Sequence, residues 1–152
     1  MASEFPEMTL KAIGVVRNGM QEPPTPRSDW EKVISEIVID SSLTEALDGI
    51  EEFSHFIILF WIHCLTEKEP PLKQRPMGQK DRPLRGLFAL RTPNRPNPIG
   101  KTTVRLLERR GNILRVEGLD ALDGSPVIDI KPYMPGYDAA AGATVPAWII
   151  HD

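Results

Sequence analysis

Thr102-Thr103-Val104-Arg105-Leu106-Leu107-Glu108 and Ile113-Leu114-Arg115-Val116, separated by Arg109-Arg110-Gly111-Asn112, read as a β-hairpin. Both arms are rich in Val, Ile and Leu, and Arg110-Gly111-Asn112 supplies the turn, with Gly111 and Asn112 expected at positive φ. Working outward, five more runs share this character: 10–16, 33–39, 56–62, 84–90 and 127–130, each bounded by Gly, Pro, Asn or Asp. Asp123-Gly124-Ser125-Pro126 reads as a second turn. One helix is predicted, over 43–47, with Ser42 as its cap, Glu45 as the capping-box partner and Gly49 as its stop. Leu43, Ala46, Leu47 and Ile50 would share the face that packs on the sheet. Short strands with so little helix predict a mainly β fold, an antiparallel barrel or sandwich with one or two short helices.

The 152 residues, 41% hydrophobic and 26% charged, fit one folded domain. That domain is expected over 10–152, after a flexible N-terminus at 1–9 and with an irregular tail from about residue 134. The end of the tail, 145–150 around Trp148, is apolar enough to dock. Fifteen prolines argue against a helical bundle, because an interior Pro removes a hydrogen bond and clashes with the preceding turn. The longest apolar run, 56–62, is far short of the ~18 residues of a membrane span. Met1-Ala2-Ser3-Glu4-Phe5-Pro6 lacks the basic start and apolar middle of a signal peptide, so a cytoplasmic location is expected. The lone Cys64 excludes an internal disulfide framework and a zinc site built on several thiolates, and no metal site is expected.

Charge is unevenly distributed. Residues 72–101 hold eight Lys and Arg against Asp81 alone, a local charge of +7, against −10 for the rest and −3 overall. Such a segment is either a phosphate-contacting surface or a solvated loop. The long polar, Pro-rich stretch 68–83 within it suggests function or mobility. Arg91-Thr92-Pro93-Asn94-Arg95-Pro96-Asn97-Pro98-Ile99-Gly100 is its densest part. Three prolines stiffen that loop, so two guanidinium forks and two amides are held with little entropy left to lose. Asp129 and Lys131 alternate with Ile128 and Ile130, so they share one strand face, either simply exposed or lining a pocket as an ion pair. His55 and His63 are eight residues apart and share a face only if the strand is unbroken, a structural pair or a weak metal signal. Neither G-x-G-x-x-G nor G-x-x-x-x-G-K-[ST] is present.

The Arg91–Gly100 motif, followed by Leu119-Asp120-Ala121-Leu122-Asp123-Gly124-Ser125-Pro126-Val127-Ile128-Asp129-Ile130-Lys131-Pro132-Tyr133, resembles the β-barrel S-adenosylmethionine-dependent tRNA methyltransferases. The likeness begins at Ile13-Gly14-Val15-Val16-Arg17 and continues through Pro26-Arg27, Phe53-Ser54-His55 and Gly86-Leu87-Phe88-Ala89-Leu90-Arg91. It implies a small barrel that dimerises and methylates N6 of threonylcarbamoyladenosine beside the tRNA anticodon, in a short form without the C-terminal domain of longer members. Donor contacts in the family fall here on Pro26, Arg27, Ser28, His63, Cys64, Arg91, Lys101 and the backbone of Leu119, Asp120 and Ala121. Cys64 stands where Gln is common and Lys101 where an apolar residue is common, so Lys101 is expected to act through its backbone. The acceptor nitrogen needs a base, for which Asp129 is the first choice and His63 the second, with Lys131 beside them. Arg95 or Lys131 would meet the threonyl carboxylate, and Asn94, Asn97 and Tyr133 complete the substrate contacts. A non-catalytic RNA-binding barrel and a methyltransferase with another substrate are the alternatives.

Overall fold

The computed structural model describes residues 4–65 and 69–149. Six strands close an antiparallel barrel: β1 (Gly14–Arg17), β2 (Ile34–Ile39), β3 (His55–Trp61), β6 (Ile99–Arg110), β7 (Ile113–Glu117) and β8 (Pro126–Pro132). Their order around the wall is β1-β2-β7-β6-β3-β8. The mainly β barrel expected from the sequence is therefore the fold. Two-residue strands β4 (Lys73–Gln74) and β5 (Arg85–Gly86) form a separate ribbon. A four-residue helix, α1 (Pro135–Asp138), opens the tail. Among the described residues no helix is long and apolar enough to cross a membrane.

Alternation fills the barrel. Phe56, Ile58 and Phe60 of β3 point inward and join Val16, Ile37, Val104, Leu114, Val116 and Val127 in one buried cluster. Ile57, Leu59 and Trp61 take the outer face of the same strand, opposite Thr103, Lys101 and Ile99 of β6. Leu59 faces Asp129 while Phe60 faces Val127, so Ile128 is an extra residue that bulges β8. Ile130 thus packs on the core, whereas Ile128 lies half-buried outside it.

Four local expectations are corrected. The run 84–90 is no barrel strand: after β5 it winds into a 3₁₀ turn, Leu87–Ala89. A strand would send Leu87 and Leu90 to opposite faces, but a 3₁₀ turn brings residues three apart together, and both are buried. The predicted helix is likewise a 3₁₀ segment, Ser41–Leu47, capped by Asp40 rather than Ser42. The amide and hydroxyl of Ser42 donate to Asp40 Oδ1 and hold that carboxyl below its usual pKa. Burial there follows a period of three, through Thr44, Leu47 and Ile50, and leaves Leu43 and Ala46 exposed. The hairpin turn needs positive φ only at Gly111 (59°), while Asn112 instead donates from Nδ2 to the Ile39 carbonyl at 2.5 Å. Finally, β1 begins at Gly14 rather than residue 10. In the tail the Trp148 carbonyl accepts from Arg82, which docks it on the basic loop. Lys68, Ile150 and His151 lie outside the described residues.

Gly100 faces Phe60 across the β3–β6 ladder, and a Cβ placed on it would lie 2.4 Å from the ring carbon Cζ. The ring of Phe60 therefore occupies the space of the missing side chain. Gly100→Ala is expected to cost about 1–3 kcal/mol through overpacking. Phe60→Leu in the same chain should recover part of that loss, read as denaturation midpoints at unchanged m-value.

Candidate functional site

The site is built where β1 ends. Past Arg17 the chain leaves the wall, and the amides of Asn18 and Gly19 both donate to Asp123 Oδ1, at 2.8 and 3.0 Å. The Asn18 side chain donates from Nδ2 to Ser35 Oγ and to the Ala121 carbonyl, both at 2.9 Å. Its Oδ1 accepts from the Met20 amide at 2.9 Å. One asparagine thus ties together the first and second strands and the segment before β8. The amides of Gly19 and then Asn18 are the main reason the Asp123 carboxyl sits below its usual pKa.

His63 lies two residues past the end of β3, so it does not share a strand face with His55. Its Nδ1 lies 3.4 Å from Ser125 Oγ. Ser125 is buried, and its hydroxyl proton goes to the Leu122 carbonyl at 2.7 Å. Since that hydroxyl gives its one proton to Leu122, it meets His63 Nδ1 as an acceptor. Gly124 adopts φ 82°, and a Cβ there would stand 3.7 Å from His63 Nε2. Bare backbone therefore flanks the imidazole. A groove of about 430 Å³ runs from Gly124 and Asp123 along Val15, Arg17, Asn18 and Gly19 to Glu36.

Other segments converge on this end of the barrel. The Gly118 amide donates to the Val33 carbonyl at 3.0 Å, tying the segment before Leu119 to the end of the 3₁₀ turn Arg27–Lys32 that carries Arg27 and Ser28. The Ile62 amide donates to the Pro98 carbonyl at 2.8 Å, which brings the proline-stiffened loop beside His63 and exposed Cys64. Arg95 is largely spent inside that loop, donating from Nη1 to the carbonyls of Leu90 (2.9 Å) and Thr92 (3.0 Å). Gln74 Nε2 donates to the Asn94 carbonyl at 3.1 Å, and the Asn97 carbonyl accepts from the Ile99 amide at 2.7 Å. Arg91, by contrast, is exposed, and its guanidinium has no partner among the described residues. Leu119 and Ala121 are buried core, so only their backbone is available, while exposed Asp120 accepts from the Thr102 hydroxyl. Lys101 is exposed on the outer wall opposite Leu59.

Asp129, Lys131 and Tyr133 lie elsewhere. Asp129 and Lys131 are paired at 3.0 Å, with side chains 44% and 61% exposed, on the outer wall opposite Leu59 and Ile57. The Tyr133 amide donates to the His55 carbonyl at 2.9 Å, at the far end of the barrel. From Ser125 to Tyr133 along β8 is ~26 Å at ~3.3 Å per residue. Within one chain, then, Tyr133 lies far from His63, while Asp129 flanks Leu59 on the outer wall from the side opposite Lys101. Asn18, Ser35, Ser125 and the carboxylate of Asp123 are members of the site that local patterning misses: Asp123-Gly124 reads as a turn, and Asn18 meets its partner across 105 residues.

A family profile described as the tRNA-methyltransferase O N-terminal domain matches residues 17–139. A probable S-adenosyl-L-methionine-binding protein of Methanothermobacter thermautotrophicus is 46% identical over 139 residues, covering 88% of this chain and 95% of the relative. A tRNA (adenine(37)-N6)-methyltransferase of Mus musculus is 41% identical over 103 residues, 66% of this chain but 23% of that protein. The crystal structure of TrmO from Pseudomonas aeruginosa superposes with a TM-score of 0.72 at 30% identity, over 91% of this chain and 62% of that one. The chain thus spans a little under two thirds of that solved relative.

Because Asp123 titrates from a depressed pKa, its stabilisation is fully present above the unfolded value of ~3.9 and is lost as pH falls through the folded one. The stability gap between wild type and Asp123→Asn should be constant near neutrality and close progressively below pH ~4. Denaturant titrations across pH measure it, and a gap unchanged down to pH ~2 removes the carboxylate from the clamp.

Proposed function

The chain is a member of the tRNA-methyltransferase O N-terminal domain family, and from that premise we propose that it binds S-adenosyl-L-methionine at the His63 end of its barrel and methylates N6 of threonylcarbamoyladenosine beside the tRNA anticodon. One observation supports the reading: the Gly118 amide on the Val33 carbonyl, the Ile62 amide on the Pro98 carbonyl and the contact of Ser125 Oγ with His63 Nδ1 tie four distant segments together at one barrel end. The chemistry present there suits the donor. The free guanidinium of Arg91 can receive a carboxylate in two parallel hydrogen bonds, and the exposed carboxylate of Asp120 can receive an ammonium or ribose hydroxyls. Bare backbone at Gly124 lets a ligand approach His63 Nε2 where a side chain would intervene. When bound, the donor supplies a methyl carbon on a sulfonium, and the protein's task is alignment, which can contribute ~7–11 kcal/mol.

The acceptor nitrogen must give up its proton as the new N–C bond forms. Asp129 takes that proton in this reading, with Lys131 held against it to receive the threonyl carboxylate or to tune the base. Their place on the outer wall favours service to a second copy of the chain in a homodimer. Half-buried Leu59 and Trp61 and exposed Ile99 line the same outer face and provide apolar area for that contact. Asn94, Asn97 and Arg95 hold the rim loop toward the RNA, and Lys73, Arg75, Lys80 and Arg82 add positive charge beside it.

Arg91→Ala should weaken donor binding about 10- to 100-fold, the value of one charge-assisted contact of ~1.5–3 kcal/mol, with Arg91→Lys in between. Calorimetry with the donor reads this directly, and equal affinities would take Arg91 out of the site. Saturable donor binding also separates this reading from a plain RNA-binding barrel.

Asp129→Asn should lower turnover by ~10²–10⁴ at near-normal donor affinity and melting temperature. If the carboxylate serves the partner, mixing Asp129→Asn with Arg91→Ala chains at donor concentrations below saturation for Arg91→Ala should raise activity above that of either parent. Normal turnover in Asp129→Asn would pass the role to His63, and failure of the mixture would place Asp129 in its own chain's site.

A further inference from the structure

Phe88 is the large apolar side chain least explained by the fold. It is 82% exposed, yet it rides on a turn fastened from three sides. Its neighbours Leu87 and Leu90 are buried at 3% and 6%. The Leu87 amide donates to the Leu72 carbonyl at 2.9 Å, and the Leu90 carbonyl accepts from Arg95 Nη1 at 2.9 Å. Isolated exposed hydrophobics are common and usually carry no message. This one differs in its mounting and in its surroundings. A ring on a pinned 3₁₀ turn has already lost much of the freedom that binding would cost it.

The surroundings decide what the ring meets. No Asp or Glu occurs from Arg82 to Leu107. Arg85 and Arg91 flank Phe88 three residues away on each side, both exposed. Lys73 faces Gly86 across the β4–β5 ribbon and adds a third cation beside the turn. Arg75 and Arg82, by contrast, donate to the carbonyls of Arg82 and Trp148, so they brace the loop. A flat apolar ring framed by exposed cations, of which Arg85 gives one bond to the adjacent Leu84 carbonyl at 3.0 Å, and empty of acids matches a polyanion with exposed flat bases, which is single-stranded nucleic acid.

We infer that Phe88 is a stacking platform for one base splayed from the RNA substrate, with Lys73 and Arg85 receiving the phosphates around it. The inference rests on the RNA-substrate reading above and adds a specificity-tolerant contact to it. Stacking is independent of base identity, because every base has a π face. The ring carries no charge, so it contributes affinity without releasing counterions.

The experiment measures binding of unfractionated tRNA, and of a single-stranded oligoribonucleotide carrying 2-aminopurine, to wild type and to Phe88→Ala, Phe88→Leu and Phe88→Trp. Phe88→Ala and Phe88→Leu should lose about tenfold in affinity at fixed salt and lose the quench of 2-aminopurine on binding. Phe88→Trp should keep both. The slope of log affinity against log salt should be the same in all four proteins. Melting temperatures equal to wild type establish that the variants are folded. Wild-type affinity in Phe88→Ala, alongside a loss on neutralising Lys73 and Arg85, overturns the stacking role and leaves the RNA reading standing. Absence of tRNA binding by the wild type overturns both. A change of sedimentation mass in Phe88→Ala also overturns the role, because the ring would then belong to an interface between copies.

Discussion

The barrel closes through its shortest contact. β1 meets β8 in only two register pairs, Gly14 with Val127 and Val15 with Pro126, whereas β3 meets β6 in seven. A sheet of six strands has no free edge only if that seam holds, and the inward side chains of Val16 and Val127 stay dry only if it does. The seam is lengthened by bonds outside the ladder: Ile13 N to Val127 O, Val16 N to Ser125 O and Gly124 N to Val16 O. It ends in the Asn18 and Gly19 amides on Asp123. The polar clamp does what further strand pairing would otherwise do.

This placement explains why chemistry collects at that end. A clamp made of side chains and irregular backbone needs polar residues and glycine, which a continued ladder would exclude. Gly124 at positive φ, buried Ser125 and the Asn18 amide are present first for closure. Once present, Ser125 and Gly124 flank His63 with a hydroxyl and bare backbone. The opposite end closes with a two-residue hairpin at Gly111-Asn112 and the Asn112 bond to Ile39.

Charge follows the same division of labour. Apart from Lys101 on β6, the basic segment lies off the barrel on the β4–β5 ribbon and its loops, so +6 can be concentrated there without burying a cation. Some of those cations hold the loops in shape by donating to carbonyls, as Arg75, Arg82 and Arg95 do. Others, including Arg91, face solvent with their donors uncommitted. Composition counts both kinds alike. Only the hydrogen bonds separate the cations that build the surface from those that present it.

Short-range pattern was enough for the wall. The runs over β2, β3, β6, β7 and β8 are legible because inward and outward positions alternate within each strand, and the turns at Gly111 and Gly124 are marked by residues that tolerate positive φ. The motif from Arg91 to Gly100 stands out in the sequence because its prolines and polar groups are contiguous. The tertiary structure alone decided the rest. Whether an apolar run such as 84–90 becomes a strand or a 3₁₀ turn depends on which neighbour buries Leu87 and Leu90. The same chain spacing leaves Asp129 on the outer wall or in a pocket according to the register that β3 imposes at the Ile128 bulge. The clamp of Asn18 on Asp123 spans 105 residues, and no local preference encodes a partner at that distance. Alternation and turn chemistry are properties of a few adjacent residues, whereas enclosure and pairing belong to whichever segments the closed barrel brings together.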